Sequence, residues 1–131
     1  MSPEALSPET AHHRWLEYCL ARPGAWRDEP WAGDVVAKVG PPDKGKVFAF
    51  LGSPEGRLVI GVTCGDREQA DLWLERYPGA ASKMRYWGQH GWNTLALDGT
   101  VPDDELSELI DGSYALVVAK LPRAQRPGSS G

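Results

Sequence analysis

Between residues 35 and 64 the chain is cut twice by turn chemistry, and the pieces left between the cuts are short and apolar. Pro41-Pro42-Asp43-Lys44-Gly45 separates Val35–Val39 from Lys46–Leu51, and Ser53-Pro54-Glu55-Gly56 separates the latter from Leu58–Cys64. Runs this short, rich in Val, Phe, Leu and Ile, have the length of strands and not of helices. Proline fixes φ and removes an amide, while Asp, Ser and Gly accept turn backbone, so the chain must reverse at both places. Three strands joined by tight reversals make an antiparallel meander. One apolar face of such a meander needs a covering layer.

The flanks supply that layer. Ser7-Pro8 combines a hydroxyl cap with a proline suited to a first helical position, and Ala11, Trp15, Tyr18, Cys19 and Arg22 follow at helical spacing until Pro23-Gly24. Ala25 to Gly33, which carries Trp26 and Trp31, reads as an irregular crossing into the meander. After it, Asp66 caps a helix to about Tyr77, with Ala70, Trp73, Leu74 and Tyr77 on its apolar stripe. Lys83–Trp87 and Trp92–Leu97 read as a second hairpin around Gly88-Gln89-His90-Gly91. Pro102-Asp103-Asp104-Glu105 suits a helix N-terminus, and Leu106, Leu109, Ile110, Ser113, Tyr114, Val117, Val118 and Leu121 continue at the helical period to Pro122. The predicted fold is α+β: a two-layer sandwich in the order α-β-β-β-α-β-β-α, with an antiparallel sheet and its helices on one face. Residues 1–122 form one domain, and Arg123–Gly131, rich in Pro, Gly and Ser, a disordered tail.

At 131 residues the chain is long enough for one core, and 41% hydrophobic with 24% charged residues is a globular balance. The formal net charge of -4 argues against a protein coated with phosphate contacts, though not against a local basic face. The N-terminus lacks a basic start and an apolar run, and no stretch approaches the ~20 apolar residues of a membrane span. Cys19 and Cys64, far apart and flanked by apolar residues, read as buried thiols in a reducing compartment. A cytoplasmic location is expected, with no membrane partner.

Candidate chemistry is sparse. Gly40-Pro41-Pro42-Asp43-Lys44-Gly45-Lys46 imitates a phosphate loop, but Val47 replaces the hydroxyl residue and the segment enters a strand, not a helix. It reads as a plain strand-to-strand loop. His12, His13 and His90 do not share metal-ligand spacing, and the adjacent pair reads as a solvated helix end. Ser113 lacks the strand–turn–helix elbow of a serine nucleophile, and Tyr114 reads as a core ring whose hydroxyl finds a partner at the rim. No catalytic residue, metal or cofactor is expected.

Strand parity points to a surface instead. With a tight turn at 53–56, Leu51, Ala49 and Val47 face Leu58, Ile60 and Val62 under the helices. Lys46, Phe48, Phe50, Arg57, Val59 and Thr63 then face away, with Lys38. A four-residue loop at 88–91 would place Trp87 opposite Trp92 and Arg85 opposite Thr94, sending Lys83 to the same open face and Met84, Tyr86, Leu95 and Leu97 to the helices. Residues 79–97 contain no acid, whereas Glu68, Asp71, Glu75, Asp103, Asp104, Glu105, Glu108 and Asp111 lie on helices. The expected site is a basic, aromatic sheet face made of Lys38, Lys46, Phe48, Arg57, Lys83, Arg85, Trp87 and Trp92. Cations interleaved with rings suit single-stranded nucleic acid. The same rings also suit a structural cluster, a protein partner or a second copy of the chain.

Pro23-Gly24, Lys46-Val47-Phe48-Ala49, Gly91-Trp92-Asn93, Leu97-Asp98-Gly99, Ser113-Tyr114 and Val118-Ala119-Lys120-Leu121-Pro122 occur in the order and spacing of the MmcQ/YjbR family, which the chain resembles from about Trp15 to Pro122. The resemblance implies a frataxin-like or secretion-chaperone-like two-layer sandwich and a DNA-binding role. Where such proteins often carry a lysine in the strand before the second helix, Thr63 stands here, which weakens anion binding at that point.

Overall fold

A computed structural model describes residues 8–31, 34–52, 58–85 and 87–127 of the chain. The hydroxyl cap at Ser7, the turn at 53–56, Arg57, Tyr86 and residues 128–131 lie outside the described residues.

Helix α1 (Pro8–Leu20) leads into strands β1 (Ala25–Trp31), β2 (Asp34–Val39), β3 (Lys46–Gly52) and β4 (Val59–Thr63). Helix α2 (Arg67–Arg76), strands β5 (Ala81–Lys83) and β6 (Trp92–Ala96), and helix α3 (Asp103–Lys120) follow. The strands form one antiparallel sheet in the order β1-β2-β3-β4-β6-β5, and the three helices pack on one of its faces. The α+β sandwich expected from the sequence is present in the expected succession, with one strand added. That strand is β1, the segment read as a crossing: Trp26 pairs with Lys38 and Asp28 with Val36, and the register slips before Trp31 pairs with Asp34. Charges at Arg27, Asp28 and Glu29 and a proline at position 30 disguise it, and they are tolerated because it is a sheet edge.

The core lies between sheet and helices. Ala37, Val39, Ala49, Leu51, Ile60, Val62, Ala81 and Leu95 supply it from the strands, and Trp15, Cys19, Leu106, Leu109, Ile110, Val117 and Leu121 from α1 and α3. Asp66 caps α2 by accepting from the Gln69 amide, and the Gln69 side chain accepts in return from the Asp66 amide. His12 is not a solvated end: its Nε2 lies 3.1 Å from the Leu51 carbonyl oxygen. The loop from Gly40 to Gly45 joins two antiparallel strands and folds on itself, with Lys44 donating to the Pro41 carbonyl and the Trp26 indole to that of Gly40.

A bulge in β3 decides how the sheet faces are populated. Ala37 pairs with Ala49 but Lys38 pairs with Val47, so Phe48 is an extra residue. Its carbonyl accepts from the Ser113 hydroxyl of α3 at 2.6 Å, and that hydroxyl oxygen in turn accepts from the Thr63 amide at 3.1 Å. One buried serine thus fills the gap where the β3–β4 ladder opens. Tyr114 beside it packs edge-on against Phe48 and donates to the Pro23 carbonyl, as its reading as a rim-bonded core ring requires.

Past α3 the chain turns back against the helix end. Residues 123–125 make one 3-10 turn, and Arg126 donates to the carbonyls of Leu121 and Ala119, capping the helix. This side chain ties the segment back to the helix end.

Candidate nucleic-acid interface

Pairing partners share a sheet face, so the register fixes what the helix-free face presents. One row runs Trp26, Lys38, Val47, and the next runs Asp28, Val36, Phe50, Gly61, Thr94 and Ser82. Phe50 lies edge-on to both Trp87 and Trp92 at 5.5 Å, and the two indoles meet at 5.6 Å. Such pairs add about 0.5–1.5 kcal/mol each beyond their burial. Gly61 leaves a hollow beside Phe50, and the Met84 sulfur fills it, 3.1 Å from where a Cβ would stand. Val36 is sealed and Trp92 nearly so, while Trp87 keeps 42% of its surface in solvent. The open face is therefore a small second core with one exposed indole on top.

The loop that raises Trp87 is held from below. Met84 donates to the Trp92 carbonyl, Gly88 to that of Met84, and Cys64 to that of Gly91. Gly91 closes the turn at φ 87, and a Cβ there would stand 1.9 Å from the Gly65 carbonyl oxygen. Arg67, in the first turn of α2, donates to the Gly88 carbonyl at 2.6 Å, to Asn93 Oδ1 at 2.8 Å and to Asp71 at 2.8 Å. Asn93 is fully buried and donates onward to the Ala70 carbonyl at 2.8 Å. This clamp escaped the sequence reading. Its only trace there was Gly91-Trp92-Asn93, noted as part of a resemblance.

The cations do not pave the face. Lys38 is on it, 2.7 Å from the Asp28 carboxylate and over the Trp26 ring. The hydrogen bond from Lys38, and after it the Glu29 amide, holds the Asp28 carboxyl below its ordinary range. Several placements differ from strand parity, Val47 among them, which takes the open side. Phe48 is fully buried on the helix side because the bulge shifts it. For the same reason Lys46 pairs with core Val39 and shares the helix side, at the exposed start of β3. Lys83 pairs with buried Asn93, not with Ala96 as a four-residue loop requires, so it too belongs to the helix side, its stem against Gly88. Thr94 faces Ser82, Met84 takes the open side, and Arg85 sits exposed in the turn after β5. Arg57 lies outside the described residues.

What the structure does bring together is an end. β3 begins, β4 finishes, β6 begins and β5 finishes on the same border of the sheet. Lys46, Lys83 and Arg85 therefore ring the border on which Trp87 stands, with Lys38 one residue inside it. Among the described residues, no three His, Cys, Asp or Glu side chains are grouped to hold a metal ion.

The YjbR family model matches residues 20–116. The chain belongs to the YjbR family. An Escherichia coli K12 relative named uncharacterized protein YjbR is 30% identical over 113 residues, covering 85% of this chain and 90% of its own. The crystal structure of a Deinococcus radiodurans protein with the DUF419 domain superposes with a TM-score of 0.78 at 26% identity, covering 91% of this chain and 94% of that one. A Pseudomonas syringae protein shares the fold, with a TM-score of 0.66 at 19% identity over 80% of this chain and 97% of its own. The family resemblance drawn from ordered motifs is thus established over most of this YjbR-family domain.

Proposed function

We propose that this YjbR-family domain is a non-enzymatic binding module that takes single-stranded nucleic acid, DNA included, at the sheet border beneath Trp87. The observation that carries the reading is one indole with 42% of its surface exposed, braced by Phe50 and Trp92, at the border of the sheet where Lys46, Lys83 and Arg85 also lie. A ring already held in place loses little freedom when a base stacks on it, and such stacking contributes about 1–3 kcal/mol per base. The cations then meet phosphates on either side. A cytoplasmic setting suits two cysteines that stand as separate thiols. The test is titration of a twelve-nucleotide oligo-dT at low salt, followed by tryptophan quenching. Binding should weaken roughly 5- to 150-fold in Trp87→Ala, the range that the stacking energy spans, and should fall with added salt. An oligonucleotide that leaves the wild-type signal unchanged at low salt refutes the reading.

A second reading has its own support. Around Trp87 the face is apolar, and the charge of Lys38 is already matched by Asp28. That surface suits docking of a protein or a second copy of the chain. Light-scattering mass that rises with concentration in the wild type, and not in Trp87→Ala, favours it. A constant monomer mass removes the second-copy version.

A further inference from the structure

We infer that the phosphate backbone of a bound nucleic acid is engaged at a corner beyond the candidate site, where the loop between β2 and β3 meets the C-terminal end of α3. The inference rests on the nucleic-acid reading and gives it a second contact surface. Leu121 joins the two parts: its methyl groups come within 3.3–3.4 Å of where a Cβ on Gly40 would stand, and Gly40 in turn abuts Gly45. Lys44 and Lys46 bracket Gly45, while Lys120 and Arg123 bracket Leu121, and all four side chains are exposed. None of the four is in an ion pair among the described residues. This contrasts with Arg14, Arg22, Arg27, Lys38, Arg67 and Arg76, each of which has a carboxylate within reach.

The corner is positive by sequence as well as by placement. From Gly112 to Pro127 the chain has no acid, and between Val35 and Ala49 its only acid is Asp43. Arg126 already covers the terminal carbonyls of α3, so the helix end does not draw Lys120 or Arg123 inward. In a chain with net charge -4, eight of the 18 acidic residues lie on α2 and α3 before this point. Four unpaired cations left together in an acidic protein repel one another, and a polyanion relieves that repulsion. Lys46 links the corner to the indole border, two strand spacings or about 10 Å from β6. A backbone leaving a base stacked on Trp87 reaches the corner past that lysine. Lysines and arginines without a shaped pocket contact phosphates and not base edges, so the added affinity is independent of base sequence.

The test uses the full chain, fluorescein-labelled oligo-dT of twelve nucleotides and anisotropy across a salt series, with a K44E/K120E/R123E variant beside Trp87→Ala. All three reversals are at exposed positions, and a thermal midpoint matching the wild type verifies the fold. The expected result is at least about a tenfold loss at low salt in the reversal variant. Its log–log salt slope should be shallower by about two, from three lost phosphate contacts at roughly 0.7 each. Trp87→Ala should lose affinity and keep its slope. Unchanged affinity and slope in the reversal variant, with the wild type binding, overturns the corner and leaves the indole reading standing. Weakening in the reversal variant alone, with Trp87→Ala unaffected, supports the corner and overturns the indole. No binding by the wild type overturns both.

Discussion

Replacing Ser113 by alanine removes one oxygen and disconnects three elements. The hydroxyl donates to the Phe48 carbonyl at 2.6 Å and accepts from the Thr63 amide at 3.1 Å, and the residue is fully buried. Alanine leaves two backbone groups without partners, in a space the size of the lost oxygen, too small for a water. Each orphan costs about 1–3 kcal/mol, and taking about 1.5 kcal/mol for each of the two gives about 3 kcal/mol. A chain of this length unfolds with an entropy near 0.28 kcal/mol/K, which places the drop in thermal midpoint at roughly 10 °C. Ser107→Ala is the internal control: its hydroxyl donates to the Asp103 carbonyl on the exposed side of the same helix, and its loss should stay within ~0.5 kcal/mol. Chemical denaturation of both variants measures the difference, and hydrogen exchange at the Thr63 amide locates it. If Ser113→Ala lies within ~0.5 kcal/mol of the wild type, and the Thr63 amide stays protected, the serine does not hold the opened ladder.

Gly91→Ala should be severe, at about 3–5 kcal/mol, since it combines a left-handed backbone with a Cβ 1.9 Å from the Gly65 carbonyl oxygen. Gly99→Ala shares the backbone sign but meets nothing within 4 Å, so about 1–2 kcal/mol is expected; equal effects would show that the close approach is not what matters. Burial pushes the Cys19 thiol up to about 12 from an ordinary 9.0. The folded state then holds a proton that the unfolded chain releases, so stability is full below pH 9 and falls as pH climbs from 9 toward 12. Denaturation midpoints across that range should decline less steeply in Cys19→Ala, and identical slopes would refute the assignment.

The elements readable from the sequence were those whose chemistry is local. Asp66 announces a helix start, and the two proline-bearing turns announce reversals, because each acts within a few residues. Strand β1 was unreadable for the opposite reason. Its Arg27, Asp28, Glu29 and Pro30 look like loop, and only the vacant edge of β2 makes them a strand. Parity failed in β3 because Val47-Phe48-Ala49-Phe50-Leu51 is apolar throughout and gives no alternation by which a slip could be noticed. In the second hairpin the tempting pair was Trp87 with Trp92. The indoles do touch, but as a loop residue folded over a strand residue, while the register is set by Asn93 reaching Ala70 of α2. Of the candidate site, the rings Trp87 and Trp92 were found on the expected face. Lys38 is on that face as expected, while Lys46, Lys83 and Arg85 stand at its border, since the position of a strand's end is a matter of topology and not of parity.

The borders of the sheet carry a last consequence. On one side β5 offers three residues, and on the other β1 offers a proline without an amide and a slipped register after Asp28. An extended peptide seeking to append itself as a seventh strand would find too few consecutive donors and acceptors on either side. A short strand at one border and a proline with a register slip at the other disfavour growth of the sheet by a partner's strand.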